Sequence, residues 1–253
     1  MKKSICCIAL ALVMALSTVG LFASCAKEKE KTLVMATNAT FPPYEYKDGA
    51  AFAGIDVELA QAIADKLGMK LEIQDVEFGA IVAGVESGKY DIGMAGMTVT
   101  EDRKKQVSFS TTYATGVQVV IVKEGSAIQS PADITTSSKI GVQQDTTGDL
   151  YASDTPEKGG WGEAAVTRYK SGADAVQALK QGKVDCVIID EQPAQEFVKL
   201  NSGLKILEED FALEEYAIVI AKGNDALLND VNGALEKLKT DGTIDQILKN
   251  YIG

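Results

Sequence analysis

An internal echo limits the fold more than any other feature of this chain. "VAGVESGKYDIGMAG", Val82 to Gly96, and "VQALKQGKVDCVIID", Val176 to Asp190, align without a gap. Val82, Val85, Gly88, Lys89 and Asp91 fall opposite Val176, Leu179, Gly182, Lys183 and Asp185. In each copy, apolar residues at helical spacing run to a glycine stop, and Lys-X-Asp then leads into an apolar strand. Two copies of one helix-to-strand unit predict two similarly built lobes.

The segments around the first copy extend the pattern. A strand is expected at Leu33–Ala36, broken by a loop at Pro42-Pro43. "GIDVELAQAIADKLG" reads as a helix with Asp56 as N-cap, Leu59, Ile63 and Leu67 on one face and Gly68 as its stop. "KLEIQDVEF" reads as a strand, "GAIVAGVESG" as a helix with Val82 and Val85 inward, and "YDIGMAGM" as a strand. Alternating strands and helices predict an α/β fold with a mostly parallel sheet. "TGVQVVIVKEG" and, much later, "EEYAIVIAKGND" read as strands that cross between the lobes. The expected division is 32–116 with 216–253 for lobe 1 and 117–215 for lobe 2. Helical spacing of Leu228, Val231, Leu235 and Leu238, broken at Gly242, closes the first lobe.

Composition excludes several functions. A formal charge of −11 argues against nucleic acid and against anionic lipid as an electrostatic partner. The chain has no histidine, which removes Ser-His-Asp and Cys-His catalysis and histidine metal sites. No metal site or cofactor motif is evident. The N-terminus has Lys2 and Lys3, a mostly apolar Ile5–Phe22 stretch and "FASC" ending at Cys25, the pattern of a secretory signal over 1–24. It resembles a bacterial lipoprotein signal, which implies that Cys25 is lipidated and that 25–31 is a polar tether, with Phe22 standing where the usual motif has Leu. An ordinary signal or an uncleaved anchor is the alternative. Cys6 and Cys7 fall within the signal, so Cys186 is left alone, in the apolar run "VDCVIID", as a buried small hydrophobe.

The chemistry is expected at the C-terminal ends of the strands, where open α/β sheets bind ligands. In "AGMTVTEDRKK", Gly96 permits close approach, Thr98 offers a hydroxyl, Thr100 caps a helix, and Arg103 offers a fork matched to a carboxylate. The alternative for Arg103 is a surface ion pair with Glu101 or Asp102. In the second lobe, Asp190 follows an apolar strand and either pairs with an ammonium group or caps the helix "EQPAQEFVKL". Thr146, Thr147 and Gly148 lie at a strand-to-helix junction suited to a carboxylate. Arginine and hydroxyls for a carboxylate, with an acid for an ammonium, describe a receptor for an α-amino acid zwitterion.

Five ordered stretches, "TNATFPPYEY", "GIDVELAQAIADKLG", "AGMTVTEDRKKQVSFS", "GVQQDTTGDLYA" and "VIIDEQPA", resemble the extracytoplasmic solute-binding proteins of polar amino acid ABC transporters. The resemblance covers nearly all of the chain after the signal. It implies a periplasmic-binding-protein-like fold, two α/β lobes joined by a two-strand hinge, that closes on its ligand as a monomer and delivers it to a membrane permease and its ATPase. It further implies that Arg103 clamps the α-carboxylate, helped by Thr98 and Thr147, that Gly96 and Asp190 take the α-ammonium, and that Phe41 and Phe78 sandwich the side chain. Core packing is the alternative for both phenylalanines. Asn38 stands where binders of cationic side chains often have Asp, which favours a neutral polar side chain, and "VEFGAIV" and "AGMTVTEDRKK" look most like the glutamine-binding members, so the specificity leans toward glutamine. Gln143 stands where glutamine binders tend to have Lys, and Ile189 where they tend to have His. An arginine or lysine ligand, facing Glu45 and Gln144, is the alternative. The same fold also resembles a few dehydratases, for which Glu191 would be the acid by position.

Overall fold

The structure, a computed structural model, describes residues 31–209 and 211–253. The expected signal and Cys25 lie outside the described residues.

Two mixed sheets form the core of two α/β lobes. The first has the order Lys70–Asp75, Thr32–Thr37, Ile92–Gly93, Val219–Ala221, Val107–Phe109. Its first three strands are parallel, and Val219–Ala221 is antiparallel to both of its neighbours. The second has the order Val166–Tyr169, Ile140–Gln143, Cys186–Asp190, Ala114–Lys123, Leu204–Ile206, with Ala212–Tyr216 also paired to Ala114–Lys123. Again the first three are parallel and the long strand runs antiparallel. The sheets are therefore less parallel than the alternation of elements suggests. The antiparallel members include the chain segments that arrive from the other lobe.

The echo has a physical basis. The helices Gly79–Glu86 and Gly172–Lys180 are both followed by a glycine in the left-handed region, Gly88 at φ 73° and Gly182 at φ 72°. Each then carries the same capping contacts. Lys89 N–H bonds the Gly84 carbonyl and Lys183 N–H the Ala178 carbonyl, both at 2.9 Å. The matched acids do the same job as well. Asp91 accepts from Val34 N–H at 2.7 Å and Asp185 from Lys139 N–H at 2.8 Å, so each pins the start of the strand next door.

Local readings differ in three places. Ile81 and Val85 face the core from the first of these helices, and Val82 is half-buried. The strand after it ends at Gly93, because the chain then leaves the sheet toward the cleft. The helix Ile55–Leu67 is capped by Gly54 without a side-chain bond; Asp56 lies inside its first turn, wholly buried. Cys186 is fully buried on its strand, and burial pushes its thiol up to about 12, which leaves it inert.

Candidate functional site

The C-terminal ends of the parallel strands in both lobes converge on one tight cavity. Asn38, Phe41, Phe78, Gly96, Thr98, Gln143, Thr147 and Asp190 line it, together with Glu45, Ala95 and Thr146. Gln144 is exposed and does not line it.

After the strand Ile92–Gly93, Gly96 adopts φ 51°, and its N–H donates to Asp56 at 2.9 Å. A side chain at this position would come within 2.9 Å of Phe41. Thr100 then caps the helix Glu101–Gln106 by accepting from Arg103 N–H at 3.2 Å. The neighbouring Lys104 and Lys105 pair with Glu101 and Asp102, and this leaves Arg103 to turn inward, 7 % exposed. It is therefore no surface ion pair. Its guanidinium lies 5.2 Å from the Phe78 ring, donating to the Thr98 carbonyl at 2.8 Å and to the Asp145 carbonyl of the other lobe at 3.1 Å. Arg103 is adjacent to the cavity rather than among the side chains that bound it.

In the second lobe, the Thr146 hydroxyl accepts from Asp149 N–H, starting the helix Thr147–Ser153. Asp190 occupies the N-cap position of the helix Glu191–Leu200 but makes no cap hydrogen bond. Its carboxylate accepts from the Tyr216 hydroxyl instead. A second cross-cleft bond joins Gln143 Nε2 to Asn38 Oδ1 at 2.9 Å, and an exposed pair joins Lys170 to Glu77 at 3.2 Å. Asn38 is thus held within the protein, since its amide also donates to the Val76 carbonyl and accepts from Thr40.

The electrostatics are lopsided. Among the described residues, the carboxyls Glu45, Asp56, Asp190 and Glu214 are buried in this region with a single buried cation, Arg103. Burial, with the facing Glu214 charge, pushes Asp190 up to about 7. Burial pushes Asp56 up to about 6, against the opposing bonds from Gly96 and Tyr113. Burial and then the facing Asp56 carboxylate push Glu45 well above the usual range. Among the described residues, one oxygen of Glu45 and one of Glu214 have no hydrogen-bond partner. Unpaired buried acids are costly, so the arrangement favours a cation.

Several of these groups are not legible as site residues in the sequence. Asp56 looks like a cap. Glu214 looks like one of two acids on a polar strand, yet it accepts from Thr98 at 2.9 Å and from Gln118 at 3.2 Å. The signal for Gln118 is a lone amide within the apolar run "GVQVVIVK". Among the described residues no group of three or more potential metal ligands occurs.

A family model for bacterial extracellular solute-binding proteins, family 3, matches residues 33–253. The chain is 32 % identical over 246 residues to the arginine-binding extracellular protein ArtP of Bacillus subtilis (strain 168), covering 96 % of this chain and 95 % of that one. Among solved structures it is similar to an ancestral arginine-binding protein, 39 % identical. Bound to arginine, that protein superposes with a TM-score of 0.82 over 88 % of this chain and 99 % of its own. Bound to glutamine, it superposes with a TM-score of 0.79 over the same shares. An ancestral amino acid-binding protein described as a precursor of cyclohexadienyl dehydratase is 33 % identical, with a TM-score of 0.79 over 88 % and 96 %.

Proposed function

The chain belongs to the bacterial extracellular solute-binding proteins of family 3, and we propose that it captures an L-α-amino acid between its lobes and delivers it to an ATP-driven permease. The observation that carries this reading is the polarity of the cavity. Arg103 lies beside it, bonded to the carbonyl of the lining residue Thr98, and Asp190 lines it, the guanidinium and the carboxyl that a zwitterion's carboxylate and ammonium require. Thr147, Thr98 and Gly96 lie beside them, and Phe41 and Phe78 supply apolar walls for the side chain. A ligand touching both lobes favours closure, because only the closed state makes both sets of contacts. Small-angle scattering tests this: saturating ligand compacts the protein, and an unchanged radius of gyration contradicts it.

For the side chain, the geometry favours arginine or lysine. Glu45 lines the cavity with a carboxylate oxygen that has no partner among the described residues. The relative ArtP is an arginine-binding protein by name. Asn38, on which the lean toward glutamine rests in part, has its amide engaged within the protein. Glutamine stays the second reading, because an ancestral relative is solved with it bound. Titration with arginine, lysine and glutamine separates the two.

The protein acts as a binder rather than an enzyme on this reading. Glu191, the acid a dehydratase would use by position, accepts from Gln195 and does not line the cavity. Turnover of prephenate-like acids would contradict it. The proposed lobes are 32–116 with 216–253 and 117–215, and the proposed anchor is a lipid on Cys25, which mass spectrometry of the mature N-terminus tests. Among the described residues no helix is long and apolar enough to cross a membrane.

A further inference from the structure

Glu214 is a buried acid unused by the zwitterion clamp. It lies on Ala212–Tyr216, the segment that leads back into the first lobe. That segment pairs with Ala114–Lys123 on one side, and Tyr216 bridges Thr98 on the other. One Glu214 oxygen accepts from Thr98 of the first lobe and from Gln118 of the second. The only proton of the Thr98 hydroxyl is thereby held inside the protein.

We propose that Glu214 is a positioning residue of this site: it ties Thr98 to Gln118 across the cleft and, facing Asp190, makes capture of the ligand's ammonium release a proton. This rests on the amino acid reading above. Asp190 is faced by Glu214 and Tyr216 from the crossing strand, by Tyr44 and Glu45 from the first lobe, by Tyr151 from its own lobe and by Arg103. Arg103 is the single cation among them. Glu214 and Tyr216 occupy the same buried face of Ala212–Tyr216, and the Tyr216 hydroxyl donates to Asp190, so the buried Asp190 carboxyl keeps its proton more readily than an exposed one. When an ammonium arrives at Asp190, it replaces that proton, which passes to solvent. Affinity then weakens with acidification, by up to about tenfold per pH unit below the titration of Asp190.

Two variants separate charge from bridging. Glu214→Gln keeps an acceptor for Thr98 and loses the charge. Glu214→Asp keeps the charge and shortens the bridge. Kd for L-arginine and L-glutamine is measured by calorimetry between pH 5.5 and 8.5 in wild type and both variants. The expected result is a wild-type affinity that falls toward acid and an E214Q profile displaced to lower pH, so that its loss between pH 8 and 6 is smaller by at least roughly threefold. E214D is expected to keep the wild-type slope at weaker affinity throughout, and it carries the test if E214Q does not fold. A flat wild-type profile, an E214Q profile that superimposes on wild type, or an E214D profile without the slope overturns the inference. Absence of binding to wild type at every pH overturns the amino acid reading instead.

Discussion

Arg103 donates to the carbonyl of Asp145 at 3.1 Å, and this bond crosses the cleft from one lobe to the other. The same guanidinium holds the Thr98 carbonyl and stacks near Phe78, so one side chain joins the lobes beside the cavity. Arg103→Ala removes the bond to Asp145 and, on the proposed reading, a charge-assisted bond to the ligand carboxylate. Charge-assisted bonds contribute roughly 1.5–3 kcal/mol each, so affinity is expected to fall at least about a hundredfold. Calorimetry checks this, and near-unchanged affinity refutes the clamp.

Glu45→Gln distinguishes the two side-chain readings. Loss of the charge is expected to weaken arginine and lysine binding by about ten- to a hundredfold. Glutamine affinity is expected to change by less than about threefold, since an amide can still hydrogen-bond an amide. Equal losses for all three ligands would assign Glu45 a structural role.

The buried acids also predict an unusual pH dependence of the ligand-free protein. Asp190 at about 7, Asp56 at about 6 and Glu45 all lie above their ordinary values, burial being the largest cause. Across that window the folded state binds more protons than the unfolded chain. The contribution of Asp56 and Asp190 to stability is therefore fully present below about pH 4 and is lost as pH rises through about 6 to 7. Thermal unfolding should give a higher Tm at pH 5 than at pH 8 without ligand, and ligand should stabilise more at pH 8. A ligand-free Tm that rises steadily from pH 5 to 8 contradicts this.

Gly96→Ala tests the backbone turn that exposes the first-lobe site. An alanine there must hold φ near 51° with its Cβ 2.9 Å from the Phe41 ring. Left-handed backbone alone costs about 1–2 kcal/mol. A Tm fall of about 2–8 °C and displacement of Phe41, seen as weakened binding, are expected.

The architecture was legible because its cause is local. Gly88 with Asp91 and Gly182 with Asp185 do the same mechanical work in two places, so the repeat survives in the sequence. Arg103, Thr100 and Thr147 stood out because a helix start leaves a short-range signature. Asp56, Gln118 and Glu214 did not, because their roles come from residues far away in the chain. Asp56 meets Gly96 and Tyr113, and Glu214 meets Thr98, only once the lobes are assembled. The engagement of Asn38 is hidden for the same reason, since its partner Gln143 comes from the other lobe.

Thermal shift against a panel of L-amino acids, with agmatine as the decarboxylated control, tests the central claim most directly. A ligand at about a hundred times its Kd adds roughly 2.7 kcal/mol of stability. The account predicts a large shift with L-arginine or L-lysine and none with agmatine, because Arg103 would lack its carboxylate. A panel without any shift, or an agmatine shift equal to that of arginine, would contradict capture of an α-amino acid.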